Sequence, residues 1–231
     1  MMRSKRLLSA VSAFAIFMTS FTAAPSIAGA AEDGNTVELT PAYDMQLRYG
    51  NTNQLADGEK IEVRTNWENG ELKNDFLGAM RFEIPDTPEG KELSGVSLKL
   101  VTERVYNRGP FYLYSFDAEN WNEEKINYED VTDAVASARE TEPIAEFEAA
   151  GQNKKAIFDN GVTDNQLSAW VNNIEIPAEA VTAGENFDFI ISRDQTVDNT
   201  EQTCFYTKDN TGAACNVEFT DVETTVDGAG K

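Results

Sequence analysis

In Val96-Ser-Leu-Lys-Leu-Val-Thr102, the apolar Val96, Leu98 and Leu100 alternate with Ser97, Lys99 and Val101. That is the period-2 pattern of a strand with one buried face. Short extended runs fill the rest of the chain, broken by Gly, Asn, Asp and Pro. They fall at 36–39, 45–49, 60–64, 76–84, 96–105, 111–116, 145–147, 155–158, 187–192, 203–207 and 216–220. So many strands at such short spacing predict an all-β antiparallel sandwich. Helical signal is thin: 130–139 and 163–172 can each make a few turns. The second has Thr163 or Asp164 as a cap and Leu167, Trp170 and Val171 on one face. No internal repeat and no Pro- or Ser-rich linker divides the chain, so one domain over 31–221 is expected, followed by a polar, Gly-rich flexible tail at 222–231.

The first 30 residues change the picture of where this sandwich works. A basic start (Arg3, Lys5, Arg6), a mainly apolar run from Leu7 to Met18 and a small-residue end at Ala28-Gly-Ala30 read as a secretory signal peptide. No second run is long and apolar enough to span a bilayer, so membrane insertion is not expected. The product is predicted to be extracellular, either released or held at the cell surface by non-covalent contacts. Export also bears on the two cysteines, because an oxidising compartment favours a disulfide. Cys204 and Cys215 flank the turn signal Asp209-Asn-Thr-Gly212, so the bond is expected to clip a hairpin.

Of the 231 residues, 40 are Asp or Glu and 19 are Lys or Arg. Cleavage after Ala30 removes three basic residues, leaving 16 against 40 and a net charge of −24. Such a field repels nucleic-acid phosphates and anionic lipid, which excludes a general nucleic-acid binder. Histidine is absent, which removes imidazole-based triads and imidazole metal sites. Carboxylate-pair glycan chemistry survives this exclusion, but no motif selects a pair. The chain is therefore read as non-catalytic.

Four stretches carry a likeness to a known family: Phe76-Leu-Gly-Ala-Met-Arg-Phe-Glu-Ile84; Leu93-Ser-Gly-Val-Ser-Leu-Lys-Leu100; Tyr112-Leu-Tyr-Ser-Phe116 with Trp121-Asn-Glu-Glu-Lys-Ile-Asn-Tyr128; and Phe205-Tyr-Thr-Lys-Asp209 with Asn216-Val-Glu-Phe219. In this order they resemble the DNRLRE-type domain, which overlaps a family of carbohydrate-binding modules. The resemblance implies a jelly-roll fold, a polysaccharide partner and, in members that bind acidic polysaccharides such as alginate, recognition through Lys and Arg. The alternative is a structural or adhesion protein of the cell surface acting through contacts with cell-wall or surface proteins.

Candidate ligand-binding residues follow from chemistry. Trp121, beside Glu123 and Glu124, reads either as a stacking platform for a pyranose ring or as a core plug. Trp67, in the polar stretch Thr65-Asn-Trp-Glu-Asn-Gly70, reads either as a binding residue on a loop or as a loop anchor turned inward. Basic residues are scarce enough to stand out, and Arg81, Arg104, Arg108 and Lys208 are the candidates for an anionic ligand. Calcium is the second reading of so much acid: Asp194, Asp198 and Asn199 offer oxygen ligands for a structural ion.

Overall fold

The computed structural model of the chain describes residues 35–50, 58, 60–118, 121, 126–151, 170–196, 199–210 and 212–222. The signal peptide expected at 1–30, the strand expected at 155–158 and residues 223–231 of the expected tail lie outside the described residues. The described residues order into β1 (Thr36–Leu39), β2 (Tyr43–Arg48), β3 (Lys60–Glu68), β4 (Glu71–Glu83), β5 (Lys91–Val105), β6 (Phe111–Ser115), α1 (Thr132–Arg139), β7 (Ala145–Phe147), β8 (Trp170–Ile176), β9 (Asn186–Ser192), β10 (Asn199–Tyr206) and β11 (Ala213–Asp221).

Every strand pairing among them is antiparallel. One layer runs β1-β11-β5-β8 and the other holds β2, β4, β9, β6 and β7; β10 and β3 turn the corner between β5 and β4. The result is an all-β, jelly-roll-like antiparallel sandwich. Leu98, Leu100 and Val217 of the first layer meet Phe82, Phe189 and Phe111 of the second, all at most 1% exposed. Each such side chain contributes roughly 1.5–3 kcal/mol by leaving water. At the outer edge of the first layer, Lys91 Nζ donates to Asn35 Oδ1 at 2.7 Å and to Asp221 Oδ1 at 3.1 Å.

A second apolar layer covers the outer face of β2, β4 and β9. Met45, Leu47, Leu77, Ala79 and Ile190 lie under Phe116, Trp121, Tyr128, Val131 and Val135. β4 is thus buried on both faces, which explains the nearly unbroken apolar run Phe76-Leu-Gly-Ala-Met80. The cover starts at Asn127, whose Oδ1 accepts from the backbone N–H groups of Glu129 and Asp130, while Asp130 Oδ2 accepts from the Asn127 N–H. This reciprocal capping opens a 3-10 turn at Glu129–Val131 that runs into α1. Val131, Val135 and Ala138 then form the face turned to the sheet.

Close approach explains one glycine. β3 pairs with β4 only from Arg64 onward, and before that Ile61 lies over Gly78, where a Cβ would sit 2.6 Å from Ile61 Cγ2. The Gln46 side chain extends β2 toward the same segment, donating to Glu62 O and accepting from Glu62 N–H.

Three expectations are corrected. Trp67 lies in β3, because Asn69 and Gly70 both take positive φ (55° and 80°) and turn the chain in two residues, so both strands run up to the turn. The helix expected through 172 gives way to β8 from Trp170, with Asn172, Ile174 and Ile176 buried. The Asn172 amide replaces an apolar residue in this alternation: Nδ2 donates to Leu100 O at 2.8 Å and Oδ1 accepts from Ala150 N–H.

The third correction concerns the disulfide: Cys204 and Cys215 are free and buried. The turn between them does not reverse the chain. β10 and β11 follow one another along the same strand, Cys204 opposite Arg104 and Cys215 opposite Leu98. Six residues of β5 separate these positions, about 20 Å at the usual rise. A disulfide needs its Cα atoms within roughly 7 Å. Burial pushes the Cys204 thiol up to about 11 and the Cys215 thiol up to about 12, so neither is reactive at neutral pH.

Candidate ligand-binding surfaces

Three of the predicted residues meet around Tyr43. Arg81, on the outer face of β4, sits directly opposite Asp188 of β9. Its Nε and Nη2 donate to Asp188 Oδ1 and Oδ2, both at 2.7 Å, and its Nη1 donates to Trp121 O at 3.3 Å. The hydrogen bond to Asp188 pushes the Arg81 pKa above its usual value. The guanidinium carbon lies 5.1 Å from the Trp121 ring and 5.5 Å from the Tyr43 ring. From the other side, Lys208 Nζ comes within 6.0 Å of the Tyr43 ring and donates to Ala42 O at 3.1 Å.

This convergence is turned inward. Trp121 is 1% exposed and edge-on to Tyr43 and Phe116, so it cannot present a ring face to a sugar. Of the two readings of Trp121, its burial fits the core plug: it fills the outer layer, and its Nε1 is buried without a hydrogen-bond partner among the described residues. Arg81 uses most of its donors inside the protein and acts as a staple across β4 and β9.

Arg104 belongs to a different grouping, whose other members the sequence did not single out. On β3, Ile61, Val63 and Thr65 are buried while Lys60, Glu62 and Arg64 alternate outward. Arg64 is in register with Phe76 of β4, and Phe76 with Arg48 of β2. The two guanidinium carbons lie 4.5 and 4.8 Å from the Phe76 ring centroid, stacked beside one aromatic. Along the corner, Glu62 is opposite Cys204 and Cys204 is opposite Arg104. Glu62 takes Arg64 at 2.8 Å, and Glu103 takes Lys60 at 3.1 Å. The belt therefore gathers four cations around Glu62 and Glu103, with Arg104 also 3.8 Å from Glu103, on a chain in which basic residues are scarce. A guanidinium stacked by its face keeps edge N–H groups in a fork that fits a carboxylate.

The remaining candidates stand apart. Trp67 is half-buried, its Nε1 donating to Gln195 O at 2.5 Å, which docks the hairpin against the segment after β9. Arg108 is exposed, with Nε on Ala149 O at 3.3 Å and Nη2 3.9 Å from Glu148. Asp194 Oδ1 accepts from the Thr196 hydroxyl at 2.7 Å and its N–H at 2.8 Å, which holds this carboxyl below the usual range. Asp198 and the side chain of Asn199 lie outside the described residues. Among the described residues, no group of three or more His, Cys, Asp or Glu is arranged to hold a metal.

The most deeply buried carboxylate, Asp75, is fully engaged. It accepts from Arg139 Nη1 (2.5 Å) and Nη2 (2.9 Å), Tyr128 Oη (3.0 Å) and Gln195 Nε2 (2.9 Å). Burial acts to lower the Arg139 pKa, but Asp75 more than offsets it and the value is raised. Burial and then the Asp75 charge raise the Tyr128 phenol. This network fastens α1 to the sheet and presents no free acid or base.

No protein-family model matches the chain, and no curated protein matches it. Among solved structures, the chain is similar to the K1 cleaved adhesin domain of Lys-gingipain from Porphyromonas gingivalis W83. The identity is 10% and the TM-score 0.34, over 80% of this chain and 98% of that one.

Proposed function

We propose that the chain is a secreted, non-catalytic module that binds an acidic polysaccharide through the belt formed by Arg48, Phe76, Arg64, Arg104 and Lys60. The observation that carries this reading is the pair of guanidinium groups stacked on Phe76, 4.5 and 4.8 Å from its centroid, in a chain otherwise dominated by acid. A uronate carboxylate takes the forked N–H donors of the guanidinium groups, which the buried Phe76 ring holds in place. Salt screens the repulsion from the rest of the protein over about 8 Å at physiological ionic strength, whereas contacts inside the belt are closer than that.

Affinity electrophoresis in gels containing a polyuronate tests this. Retardation of the protein, about tenfold weaker in Arg64→Ala, is the expected result, equivalent to about 1.4 kcal/mol for one guanidinium–carboxylate contact. Unchanged retardation in Arg64→Ala, or none in the parent, overturns the belt. Parallel gels with EDTA test the calcium expected at Asp194, Asp198 and Asn199, since removing a bridging or structural ion would abolish the shift.

A further inference from the structure

β6 carries two tyrosines that neither the belt nor the Tyr43 cluster uses. Phe111 and Leu113 are fully buried between the layers, so Tyr112 and Tyr114 point to the opposite face. Their ring centroids are 6.1 Å apart with planes 34° from parallel, two adjacent half-buried rings on one strand. Tyr114 leans on the edge of the outer apolar layer, whereas Tyr112 lies outside it. Tyr112 is flanked in register by Glu146 of β7 and Ser192 of β9.

The surroundings of the pair are acidic. Glu142, Glu146 and Asp194 are exposed. The two nearby cations are already engaged: Arg139 is bound to Asp75 and, at the border of the pair, to Ser192, and Arg193 lies 4.6 Å over the Phe111 ring and donates to Gly109 O. Burial raises both phenol pKa values; at Tyr112 the charges of Glu146 and Asp194 raise it further against a smaller opposing effect of Arg193, whereas at Tyr114 Arg139 opposes the rise and each of Asp194 and Glu142 adds less than Arg139 takes away. At Tyr112 the two carboxylates outweigh the one cation, so the field beside this ring disfavours an anion.

We propose that Tyr112 and Tyr114, with Glu142, Glu146 and Asp194, form a second binding site that takes the ammonium-bearing pyranose rings of an amino-sugar polymer. The apolar C–H face of the sugar stacks on the phenol rings. The ammonium group gains attraction from the ring faces and hydrogen bonds from the carboxylates. A neutral sugar gains only the stacking, and an acidic one is repelled. β6 is separated from β4 by β9, so this site and the belt can be occupied together. One chain would then join a polyanion to a polycation, an activity beyond binding either polymer alone.

The test is calorimetric titration with a glucosamine hexamer, with the N-acetylglucosamine hexamer as its neutral counterpart. The glucosamine oligomer is expected to bind at least about tenfold more tightly, an order of magnitude in the dissociation constant. Tyr112→Ala is expected to weaken it about tenfold while leaving net charge untouched, so non-specific attraction to an acidic protein cannot account for the loss. Glu146→Gln, an exposed position on an edge strand that puts no fold at risk, is expected to weaken it about threefold and to leave the neutral oligomer unaffected. Tyr112→Phe, which keeps the ring, and Arg64→Ala, which disables only the belt, should match the parent. Equal binding of both oligomers, undiminished binding by Tyr112→Ala and Glu146→Gln, or no binding of the glucosamine oligomer would each overturn the site. None of those results bears on polyuronate retention, which the belt variants decide separately.

Discussion

The two apolar layers on either side of β4 are held by different means. The inner one, between the sheets, is large and mostly apolar, and its strength is spread over many side chains from nine of the strands. The outer one is small, covered by a loop and a two-turn helix, and fastened by two arginine–aspartate pairs, Arg139–Asp75 and Arg81–Asp188. Burying little area, it relies on a few directional contacts, and each contact strands a charge when broken. A layer built by area should weaken gradually with damage, whereas a layer built by staples should open as a unit.

Arg139→Ala breaks that contrast most severely. Asp75 is fully buried and would lose its bidentate partner, so a cost of about 3–5 kcal/mol is expected. Hydrogen exchange should show protection lost over 126–141 before it is lost in β5 and β11. Leu100→Ala, in the inner layer, should cost about 3 kcal/mol and lower protection throughout both sheets together. If the two variants give the same exchange pattern, the layers are one cooperative unit.

Alkali separates the layers by a smaller amount. The Cys215 thiol of the inner layer is raised from 9.0 to about 12 in the folded chain. A raised folded pKa means stability that is complete below pH 9 and lost as pH climbs toward 12. At pH 10 the loss is about 1.4 kcal/mol, and Cys215→Ala should remove it from a melting series. Tyr128 in the outer layer, whose raised phenol starts from 10.0, should contribute only at still higher pH. The smallest expected effect is none: reductant should leave the melting temperature unchanged, with both thiols reacting with Ellman-type reagents only on unfolding.

Much of the sandwich was legible because its strands are half-buried and alternate, as in β5. β8 was not, because the buried Asn172 interrupts the apolar period with a side chain that works as backbone. The cysteine pair misled for a related reason: spacing in sequence cannot show that β10 and β11 run end to end along β5. Arg104 was legible as a rare cation. Its partners were not, since Arg48, Arg64 and Phe76 come from three strands and share a surface only through register. Tyr112 and Tyr114 alternate visibly, but the acids around them arrive from β7 and beyond β9.

The antiparallel pairing of β1 with β11 places residue 35 and residue 222 at the same end of the sandwich. Tension applied through the two flanks would consequently pull that ladder along its bonds, one after another, and not shear it across them. The salt-bridged Lys91 clasp, which touches Asn35 and Asp221, stands first in line. Under load the module would peel open from this clasp, rung by rung, as an extensible link.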